Sequence, residues 1–432
     1  MSIGEVIPLQ YAPASGRRSR YRLTLPAAYH EQPARAFPLL LHFHGWGGDE
    51  DEGLAFHHHG ETHGYLVASP VGYGDYTRPD AGPYSWASWN GVGTTGTNDS
   101  STCYVKKHHR AQFNGYCYAS CGHCQDACWW TTCEDSVAQT LALLREVQAA
   151  RRVDASRIYA TGISNGGVFT YELARDPRTA GVFAGIAPMV GSPHAGFNRG
   201  PLLPPLPFLG IWAEGDHTMP PFANPDVQGH PGGPDMALDT RWMQSVGAGW
   251  LYTTARATTK LWAVRNGCEA EPEPCGAECL GISASLPSAR CVTWPDCAGG
   301  AEVTECIHLS DVHDAPPWGP TVLWAFMNRH PPTQPATAAA IPSPHEWAWV
   351  AAAGAVGSLF ALGLAAARCR RGVSRRGMAS GTQLMRSPEV SSWSDLPCEG
   401  EGKSDELAPQ QGSAGETGER REAAACDGKW PS

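Results

Sequence analysis

The stretch Gly162-Ile163-Ser164-Asn165-Gly166-Gly167 constrains this chain more than any other. It follows the run Arg157-Ile158-Tyr159-Ala160-Thr161 and leads into a helix-like segment from Val168 to Arg175. A strand that ends in Gly-x-Ser-x-Gly and turns at once into a helix reads as a nucleophile elbow. Such a turn holds its serine in a strained backbone conformation with the hydroxyl exposed. Side chains two residues to either side would collide with the turn, which accounts for Gly162 and Gly166. The helix that starts after Ser164 directs its positive end and free N–H groups at any anion formed there. A Gly-rich turn with an ordinary serine would spell the same letters, so the rest of the chain has to supply the rest of a site.

It does so in order. Phe37 to Gly48 reads as a buried strand running into the turn His44-Gly45-Trp46-Gly47-Gly48. Continuous apolar strands of this kind suit a parallel sheet covered on both faces. The glycines let backbone N–H groups point into a site, and the expected oxyanion donors are the amides of Trp46 and Asn165. His44 reads as support for the loop by hydrogen bonding rather than as a catalyst. Phe208 to Gly215 is a second buried strand, ending at Asp216, with Glu214 as the rival acid. His313 sits in a loop after the strand-like Val303 to Leu309, whereas its rival His308 lies inside the strand pattern. The order Ser164, Asp216, His313 is that of α/β-hydrolases, not of the other serine hydrolase folds. The expected fold is therefore α/β, with a mostly parallel central sheet and a Ser-His-Asp triad.

The chain resembles the polyhydroxybutyrate depolymerase and feruloyl esterase family of secreted α/β-hydrolases. The segments that carry the resemblance are His44 to Gly48, Ser88-Trp89-Asn90-Gly91, Trp130 to Asp135, Tyr159 to Gly167, Asp216 with Met219-Pro220, and Trp262 to Cys268. They span roughly residues 17 to 330, and their joint order is more specific than any one of them. The resemblance implies cleavage of carboxylic esters on polymers or their fragments through an acyl-enzyme, without a cofactor. The Ser-Asn-Gly-Gly form is closer to the feruloyl esterase side, and poly(3-hydroxybutyrate) depolymerase is the alternative. One departure stands out. The family's histidine lies in a Gly-Gly-His-x-Trp-Pro type of turn, but here the order is Asp311-Val312-His313-Asp314-Ala315-Pro316-Pro317-Trp318.

With a formal net charge of -10 and no basic stripe beyond Lys106 to Arg110, nothing suggests a nucleic-acid surface, and no nucleic-acid partner is expected. The 15 cysteines are unevenly placed. One group is Cys103, Cys117, Cys121, Cys124, Cys128 and Cys133, and another is Cys268, Cys275, Cys279, Cys291, Cys297 and Cys306. Two even groups within one folded region predict disulfides and an oxidising compartment. Zinc is the rival, from Cys121-x2-Cys124, but no second pair at regular spacing completes a four-ligand set. Adjacent His57, His58 and His59, read as a loop, point in different directions and make a poor metal site. The long Gly, Ser, Trp and Cys-rich stretch from 74 to 133 reads as a stapled wall beside the serine. Trp86, Trp89, Trp129 and Trp130 are its candidate substrate surface, with Trp89 and Trp130 preferred; packing against disulfides is the bland alternative.

Beyond the esterase domain, 1 to 330, the composition changes. Residues 331 to 346 are rich in Pro, Ala and Thr, as a stalk would be. No charge occurs from Trp347 to Ala367, and Arg368, Arg370, Arg371, Arg375 and Arg376 follow. Length, interfacial tryptophans and basic flank predict a membrane-spanning helix over 347–367. The arginines place the polar tail 368–432 in the cytosol and the esterase domain outside the cell or in a lumen. Such a topology calls for an N-terminal signal. Met1 to His30 has no apolar core of that kind, so the expectation is that a leader is missing from the sequence.

Overall fold

All 7 residues of Phe37–Phe43 are buried, as a strand covered on both faces requires. In the computed structural model this strand sits near the middle of a sheet. Its side chains alternate between two cores: Leu39, Leu41 and Phe43 join one, Leu40 the other. The described residues are 3–13, 16–74, 86–94, 118–121, 130–194, 204–223, 244–247 (backbone only), 250–269 and 271–330.

The strands are β1 (Glu5–Leu9), β2 (Ser19–Thr24), β3 (Phe37–Phe43), β4 (Leu66–Pro70), β5 (Val153–Ile163), β6 (Gly185–Met189), β7 (Phe208–Ala213), β8 (Gln244–Gly247), β9 (Trp250–Thr253), β10 (Glu273–Pro274), β11 (Ala289–Trp294) and β12 (Val303–His308). A 10-stranded sheet runs in the order β1-β2-β4-β3-β5-β6-β7-β12-β11-β10, and β8 pairs with β9 apart from it. Strands β4, β3, β5, β6, β7 and β12 are parallel, while β1, β2, β10 and β11 pair antiparallel at the two edges.

The helices are α1 (Ala28–Glu31), α2 (Leu54–His63), α3 (Ser136–Ala150), α4 (Asn165–Arg175), α5 (Ala255–Arg265), α6 (Ala277–Leu280) and α7 (Gly319–Arg329). Leu144 of α3, Phe169 of α4 and Trp262 of α5 fill the core on one face of the sheet. Phe56 of α2 and Phe326 of α7 fill the core on the other. Each large apolar side chain buried this way stabilises the fold by about 1.5–3 kcal/mol relative to exposure. The sheet is thereby held rigid between two helical layers, and the C-terminal ends of β3, β5, β7 and β12 become fixed mounting points.

Helix α3 begins at Ser136, because the Asp135 carboxylate caps it by accepting from the Ala138 N–H. Some expectations needed correction. His57 to His59 do not form a loop; they lie in α2. His57 points inward between Thr24 Oγ1 (2.7 Å) and Ser69 Oγ (2.8 Å), while the ring of His59 stacks on His63. The Cys-rich segment before His313 also carries unforeseen structure, namely β10, α6 and β11.

Every cysteine among the described residues is paired: Cys121–Cys133, Cys268–Cys297, Cys275–Cys279 and Cys291–Cys306. Each bridge stays within one of the two sequence groups. Cys291 and Cys306 stand directly opposite each other in the β11–β12 pairing, so that bridge staples the strand that leads to His313. Cys103, Cys117, Cys124, Cys128, Trp129 and the expected stalk, anchor and tail from 331 onward lie outside the described residues. Among the described residues no helix is long and apolar enough to cross a membrane.

Candidate active site

Ser164 stands between the last residue of β5 and the first of α4, at φ 52° and ψ -117°. A non-glycine residue rarely holds that conformation, and here the surrounding backbone imposes it. Ser164 N–H donates to Met189 O of β6 (3.0 Å), and Ser164 O accepts the first helical bond, from Val168 N–H (2.9 Å). The flanking glycines are required by close approach. A Cβ on Gly162 would stand 2.5 Å from Gly166 C, and one on Gly166 would stand 2.1 Å from Phe43 O. The elbow is thus pressed against the end of β3, which brings the Gly-rich turn next to the serine.

The three separated residues meet here. His313 Nε2 lies 2.8 Å from Ser164 Oγ, and His313 Nδ1 lies 2.7 Å from Asp216 Oδ2. These partners set the tautomer: Nδ1–H donates to the carboxylate, and Nε2 accepts from the serine hydroxyl. The Asp216 side chain is 1% exposed. Its other oxygen, Oδ1, accepts from the Thr218 N–H (2.7 Å) and the Met219 N–H (3.0 Å), so the buried charge is held by backbone dipoles as well as by the imidazole. Backbone bonds from Glu214 N–H to His308 O and from Gly215 N–H to Ser310 O, both 2.8 Å, tie the aspartate and histidine loops together.

The rivals are placed elsewhere. Glu214 is exposed and paired with Arg290. His308 Nδ1 bonds Ser310 Oγ (2.9 Å) and its ring packs edge-on against Trp318.

The Gly-rich turn expected to supply an oxyanion donor is held from below. His44 is buried, and burial pushes its pKa down to about 4, so the imidazole is neutral. Its Nδ1–H donates to Gly45 O (2.6 Å) and its Nε2 accepts from the Gly72 N–H (2.9 Å). Gripping the Gly45 carbonyl fixes the Gly45–Trp46 peptide plane, because a trans peptide points its N–H opposite to its C=O. His44 therefore sets the direction of the Trp46 amide. The Gly47 N–H donates to Ala87 O (2.7 Å), which closes the turn. Asn165 N–H is the first of α4 and has no acceptor among the described residues, as an oxyanion donor requires.

Asn165 also does something its motif did not announce. Its side chain accepts from the Trp89 N–H (2.7 Å) and donates to Trp89 O (3.0 Å). Trp89 itself corrects an expectation. It is 0% exposed, stacks on Phe169, and donates its indole N–H to His44 O (3.0 Å). It packs beneath the site and offers no surface to a substrate. Trp130 is half-buried and donates its indole N–H to His194 Nε2 (2.9 Å). His194 is stacked on Tyr252 and kept neutral by burial, with its pKa lowered to about 4. The Trp130 ring is therefore held in one orientation while part of it remains accessible.

The strand order, the elbow and the Ser-Asp-His order at the ends of β5, β7 and β12 define an α/β-hydrolase fold. No protein-family model matches the chain, and no curated protein matches it. Solved structures that match include a thermostable esterase (19% identity, TM-score 0.33, covering 50% of this chain and 48% of that one). An acetyl xylan esterase from Aspergillus awamori matches at 14% identity and TM-score 0.41, over 75% of this chain and 99% of that one. A ferulic acid esterase matches at 12% identity and TM-score 0.24, over 44% of this chain and 59% of that one. The chain thus spans about half the length of the thermostable esterase, 48%.

Proposed function

We propose that the chain is a serine carboxylic-ester hydrolase. The observation that carries this reading is one imidazole bridging Ser164 Oγ at 2.8 Å and Asp216 Oδ2 at 2.7 Å. Ser164 Oγ attacks the acyl carbon while its proton passes to His313 Nε2. The carbonyl oxygen becomes an oxyanion facing the Trp46 and Asn165 amides. Collapse breaks the ester C–O bond, and the leaving alcohol takes the proton from His313. Water then repeats the sequence on the acyl-serine and releases the acid. Asp216 orients the imidazole and stabilises its charged form.

The substrate class follows from the sequence resemblance: esters on polysaccharide, feruloylated or acetylated, or on a hydroxyalkanoate polyester. Trp130 supplies an aromatic contact for such a substrate. A fluorophosphonate probe should label the purified protein stoichiometrically, and a panel of feruloyl, acetyl-sugar and hydroxybutyrate esters should be turned over selectively. Absence of both labelling and turnover would favour the reading as a silent glycan- or polyester-binding receptor.

The same reading places the enzyme on a membrane through 347–367, with the esterase domain outside or lumenal. Its support is the uncharged run, the arginine cluster after it, and disulfides that need an oxidising side. Expressed behind a supplied signal peptide, the protein should remain in the membrane pellet after carbonate extraction. Release into the supernatant would refute the anchor.

A further inference from the structure

Glu52 was not singled out by any motif, yet its carboxylate sits inside the oxyanion turn. The residue is exposed, and its Oε1 accepts from the Gly45 N–H at 2.6 Å. A Cβ placed on Gly45 would lie 3.3 Å from Glu52 Oε1 and 3.5 Å from Ser164 Cβ. The carboxylate and the serine therefore flank the same glycine. A Cβ on Gly48 would lie 2.0 Å from Glu52 Oε2 and 3.0 Å from His44 Cβ, so the other oxygen fills the hollow of the turn above His44.

We propose that Glu52 is a positioning residue for the oxyanion turn whose charge governs the turnover that the turn supports. The proposal rests on the esterase reading above. Glu52 and His44 grip the Gly45 residue from its two sides, the first through its N–H and the second through its C=O. Together they orient the Trp46 amide. A carboxylic acid or an amide at position 52 can do this without penalty. A carboxylate does it while placing a negative charge beside the point where the reaction develops another, which raises the barrier.

The surroundings favour the neutral form. Desolvation among the turn atoms pushes the Glu52 pKa up to about 7, opposed by the Gly45 N–H bond and assisted by the charges of Asp314 and Asp49. Asp49 faces it from its own turn, and Asp314 from the loop that carries His313. His44, beneath the turn, is neutral and adds no charge. Glu52 thus gives up its proton as pH rises through about 7, and turnover falls on that side.

The test is the pH dependence of kcat/KM on a neutral short-chain nitrophenyl ester for wild type, Glu52→Gln and Glu52→Ala. Glu52→Gln keeps an acceptor for Gly45 N–H and removes the charge. It should lose the alkaline decline and exceed wild type by roughly three- to tenfold near pH 9, while matching it near pH 6. Glu52→Ala removes the acceptor and should lower kcat at every pH, with little change in KM. A Glu52→Gln profile parallel to an active wild type would overturn the assignment while leaving the esterase reading intact. A wild type inert towards esters and fluorophosphonate alike would overturn both.

Discussion

Replacing Ser164 with alanine is expected to lower kcat on a short nitrophenyl ester by at least about a thousandfold. The loss follows from removing the hydroxyl oxygen that lies 2.8 Å from His313 Nε2 and would form the acyl bond. What remains is attack by water beside the otherwise intact Gly-rich turn and elbow, which is why a residual rate should survive. The fold should be unaffected. Alanine also carries a Cβ, so the cost of holding φ 52° is the same in both proteins, and the Ser164 N–H bond to Met189 O is made by backbone. Thermal denaturation of the two proteins should coincide. Retention of more than roughly a tenth of wild-type activity would remove Ser164 from the mechanism.

His313→Ala should be as damaging as Ser164→Ala, and the double variant no worse than either, because the two act as one unit. Without the imidazole the serine hydroxyl loses its 2.8 Å acceptor, and Asp216 is left as a buried carboxylate that keeps its two backbone donors. His308→Ala is the control. That ring bonds Ser310 and packs on Trp318, so its removal should cost packing but leave kcat within about threefold. An inactive His308→Ala beside an active His313→Ala would reverse the two roles.

Much of this site was legible locally. The Gly-x-Ser-x-Gly elbow, the Gly-rich turn after an apolar strand, and an acid after a second such strand are short-range patterns. Each reflects a backbone requirement that only certain residues meet. Trp89 shows the limit of such reading. Its place in a Trp-rich stretch suggested a substrate surface, but whether an aromatic ring faces a cleft or a core depends on what packs over it. Here Phe169 and His44 do. Glu52 shows the opposite case. No motif marks it, and it matters only because the turn folds back over its carboxylate.

The sequence by itself determined the chain order of Ser164, Asp216 and His313, the apolar strands that support them and the grouping of the cysteines, because each follows from local composition and period. Tertiary structure alone decided which acid and which histidine meet Ser164. Asp216 and His313 are 97 residues apart, and Ser164 and His313 are 149 apart. Parallel strands β5, β7 and β12 of one sheet, with their C-terminal ends on the same side, bring such residues within hydrogen-bonding distance. The same packing settled that Trp89 is buried, that Asn165 pins it, and that Glu52 reaches Gly45, since burial and close approach are properties of neighbours in space rather than along the chain.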